Sequence, residues 1–551
     1  MLTAYCATIA DKMSFTSPSQ TPNSLLPRTR LYADPAGRTV HGAVLDACQK
    51  FGPNTAIIDT SVPDDHEHHR WDYSRYAEMI ERVARNFMAI GVKPRDVIAI
   101  YVCNSWEFCV SYHGATLAGA IPTPLNPSYR EREVRYQLEN SHARILITDG
   151  ELISGMNLGG LPDLRRVFTT RRPATGAEPF AELLKISLAH LPPVAPEELA
   201  ALPYSSGTTG LPKGVMLTHR NLVTNIYQFL VPHELATFRE SDVILDFLPL
   251  YHIYGLNVVL NPAFIAGARL VLMPRFDPER ICALIESEQI TVLPLVPPAM
   301  NALSCAAEQG RFPKQHKVRR AKSGAAPLAP DVAHRFTNLT GIPIAQGYGM
   351  TEASPVTHTG FLEPELYCPD SIGVLLAQTD CRLVREDGDD AAIGEPGELV
   401  MQGPQFMKGY WENPEASDAV LRDGWYWSGD VGTRDSRGFF RIVDRRKEMI
   451  KYKGFPIAPA EVEAVLLEHQ SVRDCGVVGR PDPVAGEVPC AFVVVREGTS
   501  GASSQKLAAE LCGFVAERLS HHKQPREIRF VNSIPRNPSG KILRRELRTL
   551  L

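Results

Sequence analysis

The sequence lacks the features that mark membrane proteins, disulfide scaffolds and nucleic-acid binders. It has no apolar run near the roughly 18 residues that a membrane-spanning helix needs, and its net charge of −4 gives no reason to expect nucleic acid as a partner. Its eleven cysteines include no C-x-x-C pair, which disfavours a disulfide framework or a structural zinc site and fits a reducing compartment. The N-terminus has no basic signal-peptide region, and the chain does not end in S-K-L. We therefore expect a cytoplasmic protein, for which a monomer and a homodimer both remain open.

What the chain does have is the composition of a globular protein with two or three domains. It has 551 residues, of which 44% are hydrophobic and 22% are charged. Helical and strand-like patterns alternate from residue 38 to 150, which predicts an α/β fold with parallel strands. The predicted helices are 76–90 and 105–117, and the predicted buried strands are 97–102, 144–148, 243–250, 270–273 and 291–296.

A different pattern begins after residue 370. Short strands broken by glycine, at 397–403, 424–432 and 438–445, predict a smaller antiparallel, barrel-like sheet. A charged run, RRKEMIKYKG, leads into a small α/β pattern with helices at 459–468 and 505–519 and strands at 472–478, 489–495 and 526–531. We predict a flexible segment (1–37), a core domain (38–444) and a C-terminal domain (445–551), with a hinge near Lys447.

One short segment, 204-YSSGTTGLPKGVMLTH-219, has the composition of a phosphate-binding loop. Backbone N–H groups of a Gly-rich turn and Ser/Thr hydroxyls can converge on a phosphate, and Lys213 adds a positive charge. The Walker A pattern does not fit, because Pro212 precedes this lysine and Gly214 follows it. A generic loop of this composition is usually a flexible surface loop, but ten consecutive residues of SSGTTGLPKG favour a phosphate site.

Five segments together resemble the adenylate-forming superfamily of acyl-CoA synthetases, firefly luciferases and peptide-synthetase adenylation domains. In chain order they are SSGTTGLPKG (205–214), QGYGMTEASP (346–355), WYWSGDVG (425–432), DRRKEMIKYKGFPIAPAEVE (444–463) and PRNPSGKILRREL (535–547). The resemblance runs from about residue 38 to 548, and the segments LPLYHIYGL and IKYKGFPIAPAE look like those of 4-coumarate–CoA ligases. It implies a large layered α/β domain with a small barrel-like subdomain, closed by a mobile α/β lid at the C-terminus.

The activity that the resemblance implies is ATP-dependent acid–CoA ligation. A hydrophobic aryl or medium-chain acid would be activated as acyl-AMP with release of pyrophosphate, and the acyl group would then pass to CoA, giving acyl-CoA and AMP. Substrates and cofactors would be the acid, ATP, Mg²⁺ and CoA. The alternative is an acyl-AMP ligase that loads a carrier protein. Two further possible functions are a luciferase-like oxidation and nucleotide-dependent regulation without catalysis.

The resemblance implies most of the nucleotide contacts. The loop 205–214 would hold the β- and γ-phosphates, Asp430 would accept hydrogen bonds from the ribose hydroxyls, and Glu352 would bind Mg²⁺, which prefers carboxylate and phosphate oxygens. The full implied set is Ser205, Ser206, Gly207, Thr208, Thr209, Gly210, Lys213, Ala325, Gln346, Gly347, Tyr348, Gly349, Thr351, Asp430, Arg445 and Lys541.

The resemblance also implies separate lysines for two half-reactions. Lys541 would bridge the substrate carboxylate and the ATP α-phosphate during adenylation. Lys451 would act in thioester formation after the C-terminal domain has rotated about Lys447. His252 would stand where acid, adenylate and thiol meet, as a gate and orienter, and Thr351 and Glu352 complete the implied catalytic set.

CoA and the acyl group have their own implied contacts. Arg275, Lys453 and Gly454 would bind CoA, with Gly454 allowing the backbone to approach the pantetheine arm closely. The implied acyl pocket consists of His252, Tyr254, Val258, Gly324, Gly347, Pro355 and Val356. These residues are mostly apolar, and Val258 replaces a small polar residue that is common in 4-coumarate–CoA ligases, so the acid itself is left open.

The segment DHEHH (65–69) offers several metal ligands within five residues. It lies in a Pro- and Asp-rich stretch before Trp71, and the sequence shows no second ligand cluster. We expect a solvated hairpin at this position rather than a zinc site.

Overall fold

The computed structural model describes residues 37–205, 211–230, 237–363, 367–453, 455–496, 504–536 and 540–551. The predicted residues Ser206, Gly207, Thr208, Thr209, Gly210 and Gly454 lie outside the described residues, as does the N-terminal segment up to residue 36. In the described ranges, no helix combines the length and the apolar character that crossing a bilayer would require.

The core domain contains two sheets built on parallel strands, as the sequence predicts. The first, a five-stranded parallel sheet, has the strand order Ile121–Pro124, Val97–Tyr101, Ala143–Thr148, Arg166–Thr169 and Glu178–Pro179. The residues of its inner strand Val97–Tyr101 are all buried, which explains why that strand is a continuous apolar run rather than an alternating one.

The second sheet, which we call the large sheet, has nine strands. Its order is Val374–Leu375, Val356–Thr359, Ile344–Gly349, Arg320–Ser323, Val292–Leu295, Val243–Asp246, Arg269–Leu272, Thr55–Asp59 and Arg70–Asp72. The six strands from Ile344–Gly349 to Thr55–Asp59 are parallel to their neighbours, and the outer strands are antiparallel. The α/β prediction is therefore confirmed.

Helices cover these sheets, and several begin at a polar cap. Asp72 caps helix Tyr73–Ala89 by accepting the N–H of Arg75 at 2.7 Å, and Ser105 caps helix Trp106–Leu117. The remaining α-helices of the core are Val40–Phe51, Glu131–Asn140, His219–Leu230, Asn261–Ala266, Pro278–Ser287, Pro297–Glu308, Pro330–Thr340 and Pro414–Val420. A π-helical turn, Gly255–Leu260, and the 3₁₀ turns Phe180–Leu184 and Thr351–Ala353 complete them.

One predicted strand is too long. The run 243–250 is a strand only over Val243–Asp246. The side chain of Asp246 accepts the N–H of Leu248 at 3.0 Å, which turns the chain before Pro249. Local turn chemistry therefore overrides the apolar pattern at this point.

The predicted antiparallel sheet is present after residue 370. Its strands are Asp380–Val384, Gly397–Gln402, Leu421–Arg422, Trp425–Arg434 and Phe440–Arg445, all antiparallel to their partners. Two short ribbons pair Tyr204–Ser205 with Lys213–Gly214 and Leu199–Ala201 with Leu217–Thr218.

The C-terminal part forms apolar clusters of its own around a mixed sheet. The strands are Phe455–Ile457, Ile450–Tyr452, Gly486–Val495, Val472–Asp482 and Glu527–Phe530, and the helices are Pro459–Glu468, Ser504–Ala516, Arg544–Arg548 and the 3₁₀ turn His521–Lys523. The helix predicted at 459–468 has these boundaries, because proline fixes φ at its first position.

A buried arginine joins the last helix to the rest of the C-terminal part. The guanidinium of Arg544 pairs with both carboxylate oxygens of Glu463, donates to the carbonyl of Val477 at 2.8 Å, and meets Glu448 at 2.9 Å. Burial opposes the charge on Arg544, but Glu463, Asp444 and Glu448 raise its pKa above the usual range. Arg544 therefore holds the chain segment on which Lys541 lies.

We expect Arg544→Ala to lower the free energy of unfolding of the C-terminal domain by about 3–5 kcal/mol, because Glu463 would be left buried without its partner. Amide hydrogen exchange over residues 450–551 measures this loss. Arg545→Ala, which removes an exposed arginine from the same helix, is the matched control and should change stability by less than about 0.5 kcal/mol. Equal exchange in the two variants would contradict a structural role for the Arg544 cluster.

Candidate active site

Three parallel strands of the large sheet lead into predicted site segments. Strand Val243–Asp246 leads to His252, strand Arg320–Ser323 leads to Ala325, and strand Ile344–Gly349 leads to Thr351. The carboxyl ends of parallel strands share one edge of a sheet, and ligands of open α/β sheets bind outside that edge. Residues from three distant motifs are therefore brought together by the sheet alone.

Two cavities meet at His252. The first is mainly apolar and is lined by Leu248, Pro249, His252, Tyr254, Gly255, Val296 and Ala325. The second is more polar, and its walls include Asn126, Tyr251, His252 and Thr351. This geometry places His252 between an apolar space and a polar one.

The His252 ring is held in one tautomer. Its Nδ1 accepts a hydrogen bond from the N–H of Tyr254 at 3.2 Å, and burial lowers its pKa to about 4. The neutral ring must then carry its proton on Nε2. His252 can therefore donate a hydrogen bond at neutral pH, which suits a group that orients a substrate oxygen better than one that removes a proton.

Tyr254 and Ala325 line the apolar cavity, and Gly324 packs against the Tyr254 ring. The Tyr254 hydroxyl donates to the carbonyl of Lys322 at 2.9 Å, and a Cβ added at Gly324 would lie 3.1 Å from the Tyr254 ring. Gly324 therefore leaves room for that ring. Ala325, beside it, has a φ of +67°, a backbone conformation that residues with side chains rarely adopt and that often marks functional sites.

A buried lysine that the motifs did not indicate packs against Gly347 of the predicted acyl pocket. Lys322 donates from Nζ to the Thr359 hydroxyl at 2.9 Å, and a Cβ added at Gly347 would lie 3.2 Å from its Cε. Burial, and then Arg320, lower its pKa to about 7. Strand Arg320–Ser323, which the sequence analysis did not predict, is buried throughout, so no predicted element marked this lysine as a buried ionisable group.

Glu352 lies at the junction of the phosphate loop and the antiparallel region. One carboxylate oxygen, Oε1, accepts hydrogen bonds from the Ser205 hydroxyl at 3.1 Å and from the Tyr410 hydroxyl at 2.8 Å. The ammonium of Lys213 lies 5.1 Å from the centre of the Tyr410 ring. Ser205, Lys213 and Glu352 are thus brought together by Tyr410, a residue that the sequence analysis missed.

Asp430 is the centre of a second polar cluster. Its Oδ2 accepts the Tyr348 hydroxyl at 2.5 Å, and its Oδ1 pairs with Nε of Arg445 at 3.1 Å. Burial, and then Asp430, raise the pKa of Tyr348 well above its usual range. Burial, and then Arg445, lower the pKa of Lys541 to about 8, against the opposing effects of Glu448 and Asp430. A lysine of the C-terminal domain therefore shares the electrostatic field of this cluster.

The turn after Thr351 is braced by two buried amides. Asn225 bonds both backbone groups of Val356, at 2.7 and 3.0 Å, and Asn257 donates to the carbonyl of Ser354 at 2.6 Å. Gly349 packs against this turn so closely that an added Cβ would lie 1.9 Å from the carbonyl oxygen of Pro355. These contacts fix where Thr351 and Glu352 lie.

The other predicted residues have separate contacts. Val258 is buried in the π-helical turn Gly255–Leu260, and Gln346 donates to the carbonyl of Pro369 at 2.5 Å. Arg275 and Lys447 are exposed. Lys451 and Lys453 are also exposed, and their backbone N–H groups donate to Glu487 and Ala485 of the C-terminal domain.

The DHEHH segment has contacts of other kinds. His68 stacks on Trp71 at 5.1 Å between ring centres, and His69 bonds the carbonyl of Asp59 at 3.0 Å. Throughout the part of the chain that the structure describes, no group of three or more His, Cys, Asp or Glu side chains is arranged to hold a metal ion.

We expect Gly349→Ala to displace the turn that carries Thr351 and Glu352. The overlap with the Pro355 carbonyl should lower the free energy of unfolding by about 1–3 kcal/mol and reduce the thermal stabilisation that ATP with magnesium gives. Thermal unfolding with and without nucleotide measures both effects.

The control is Gly513→Ala in helix Ser504–Ala516, where an added Cβ meets no described atom within 4 Å. This change should leave nucleotide stabilisation intact and raise helix stability by up to about 1 kcal/mol. Undiminished nucleotide stabilisation in Gly349→Ala would contradict the assignment of this turn to the nucleotide site.

Known protein families and curated relatives match most of this chain. The family model described as AMP-binding enzyme matches residues 44–411, and the model described as AMP-binding enzyme C-terminal domain matches residues 461–541. The curated 4-coumarate–CoA ligase 3 of Oryza sativa subsp. japonica is 37% identical over 512 residues, covering 91% of this chain and 90% of the relative.

Two solved structures show the same architecture. ATP-bound MatB from Rhodopseudomonas palustris has a TM-score of 0.82 at 27% identity, covering 93% of this chain and 99% of that one. The o-succinylbenzoate CoA synthetase MenE from Bacillus subtilis, in complex with its acyl-adenylate intermediate OSB-AMP, has a TM-score of 0.77 at 27% identity, covering 92% and 97%. This chain belongs to the AMP-binding enzyme family, as an AMP-forming acid–thiol ligase.

Proposed function

We propose that this ligase activates a hydrophobic aryl or medium-chain carboxylic acid, with Mg²⁺–ATP, and transfers the acyl group to CoA. The observation that carries the proposal is the position of His252, which lines both a mainly apolar cavity beside Tyr254 and a more polar cavity that reaches Thr351. The similar proteins 4-coumarate–CoA ligase and o-succinylbenzoate CoA synthetase are named after carboxylic acids with an aromatic ring.

Adenylation requires an anionic carboxylate to approach an anionic triphosphate, so the site must offset negative charge. Lys541, with a pKa of about 8, is mostly charged at neutral pH and can bridge the carboxylate and the α-phosphate. The ribose hydroxyls would replace Tyr348 as donors to Asp430, while Arg445 stays paired. His252 donates from Nε2 toward the acid and fixes its orientation.

Magnesium fits the residues that are present. Among the residues that the structure describes, both hydrogen bonds that the Glu352 carboxylate accepts go to Oε1, which leaves Oε2 to serve a hard cation. Mg²⁺ is usually held by one or two carboxylates together with phosphate oxygens, and it would offset the charge of the triphosphate. Ser205 and Tyr410 keep the carboxylate of Glu352 turned toward that position.

Thioester formation would follow from a second orientation of the C-terminal domain. Rotation about Lys447 would replace Lys541 with Lys451, which is exposed in the orientation described above. Arg275, Lys453 and Gly454 would then contact CoA. We place the boundary between the two domains at residue 444 and the enzyme in the cytoplasm, where CoA, ATP and reduced thiols coexist.

The acid that we infer carries an oxygen substituent away from its carboxylate. Lys322 is buried beside Gly347 and has Thr359 as its hydrogen-bonding side chain. A phenolic hydroxyl or a similar group could accept or donate one more hydrogen bond there. We therefore propose an oxygen-substituted aryl acid as the substrate class.

Acid-dependent release of pyrophosphate, measured over a panel of aryl and aliphatic acids with and without CoA, tests the function. We expect AMP and a thioester to accumulate only with CoA. Release of pyrophosphate that does not depend on CoA would favour loading of a carrier protein.

Lys322→Met should reduce kcat/KM for oxygen-substituted acids by about 10- to 100-fold, as loss of a hydrogen bond to a charged group predicts. It should leave kcat/KM for unsubstituted acids unchanged. Lys317→Met, at an exposed position, is the control.

The roles of the two lysines are separable. Lys541→Ala should reduce adenylation, followed as pyrophosphate exchange, by on the order of 100-fold or more, and still convert supplied acyl-adenylate and CoA to thioester. Lys451→Ala should do the reverse. If both variants lose the same half-reaction, the proposal of two domain orientations is wrong.

A further inference from the structure

Asp444 makes a contact across the proposed hinge. It lies in strand Phe440–Arg445, three residues before Lys447, and its side chain is buried. Its Oδ2 accepts a hydrogen bond from the N–H of Ala460 at 2.9 Å, and its Oδ1 accepts the N–H of Arg445 at 2.7 Å. One carboxylate thus ties the last strand before the hinge to helix Pro459–Glu468 after it.

This helix has no cap of its own. Its N-cap residue is Ala458, whose side chain has no polar atom, and its first residue, Pro459, has no N–H. Ala460 is therefore the first helical residue with an N–H to satisfy. Asp444 fills the place that a Ser or Asp side chain at the N-cap normally takes, and its negative charge faces the positive end of the helix dipole.

The surroundings of Asp444 keep it ionised at neutral pH. Burial raises its pKa to about 6, and the cation of Arg544 and the N–H groups of Ala460 and Arg445 oppose that rise. The negative charge of Glu463 acts in the same direction as burial and raises the pKa of Asp444. Arg544 and Ala460 both belong to the C-terminal domain, so these partners come from beyond the hinge.

We propose that Asp444 is a positioning residue that selects the orientation of the C-terminal domain in which Lys541 faces the nucleotide. The inference rests on the proposed two-step function. Asp444 and Ala460 lie on opposite sides of Lys447, so rotation there moves the helix end away from the carboxylate. The hydrogen bond between Ala460 and Asp444 stabilises the adenylation orientation and is absent from the thioester-forming orientation. Asp444 therefore biases the equilibrium between the two.

Asp444→Ala tests this inference when the two half-reactions are measured separately in the full-length protein. Pyrophosphate exchange should fall by about 2- to 30-fold, the range that loss of a helix cap corresponds to. Thioester formation from synthetic acyl-adenylate and CoA should be unchanged or faster. Asp444→Asn keeps an oxygen acceptor, and since Asn caps helices about as well as Asp, it should hold exchange within about threefold of the wild type.

A second variant removes the donor instead of the acceptor. Ala460→Pro deletes the N–H that Asp444 accepts, and two prolines at the start of a helix are compatible with this fold, since helix Pro297–Glu308 begins with Pro297 and Pro298. It should produce the same imbalance between half-reactions as Asp444→Ala. If Asp444→Ala does not fold, Ala460→Pro carries the test.

The control is Asp72→Ala, which removes an aspartate cap from helix Tyr73–Ala89, far from the hinge in sequence. It should lower thermal stability without changing the ratio of the two half-reactions. An unchanged ratio in both Asp444→Ala and Ala460→Pro overturns the inference. Absence of acid-dependent pyrophosphate exchange in the wild type is a different result, because it overturns the proposed function itself.

Discussion

Parallel strands that are buried on both faces can present polar chemistry only where they end, and the site depends on this constraint. The large sheet aligns the ends of strands that carry His252, Ala325 and Thr351, although these residues come from motifs far apart in the chain. The apolar strands supply stability, and the segments after them are free to carry glycines, hydroxyls and acids. Substitutions in those segments can alter the acid that is accepted while the sheet beneath stays the same.

Two clusters of charged side chains determine the surroundings of Lys541: the Asp430 cluster and the Arg544 cluster. In the core, Asp430 holds Arg445 and Tyr348, and Lys541 enters their field from the other domain. Behind Lys541, the buried Arg544 cluster fixes the segment that carries it. The Arg544 cluster thereby positions Lys541 on one side, and the Asp430 cluster acts on its charge from the other. In the rotation proposed above, this arrangement would preserve the local geometry of Lys541.

The sequence allowed the layered α/β fold, the family and several element boundaries to be predicted. Proline and Ser or Asp caps define helix starts locally, whereas the strand at 243–250 was overextended because a side-chain turn at Asp246 is invisible to an apolar pattern. The motifs predicted Glu352 and Asp430 but not Tyr410, which is 58 residues from Glu352 in the chain, nor the pairing of Asp444 with Ala460. Contacts of that kind depend on how separate elements pack, which single-sequence periodicity does not record.

The contact between Tyr348 and Asp430 has a consequence for turnover. Both carboxylate oxygens of Asp430 have partners within the protein, so this buried carboxylate is not left unpaired. A ribose bound to Asp430, as proposed above, would gain only the difference between its own hydrogen bonds and the one it displaces. Such an exchange would weaken retention of AMP, the last nucleotide in the proposed cycle, and would let the enzyme empty its site between rounds instead of holding its own product.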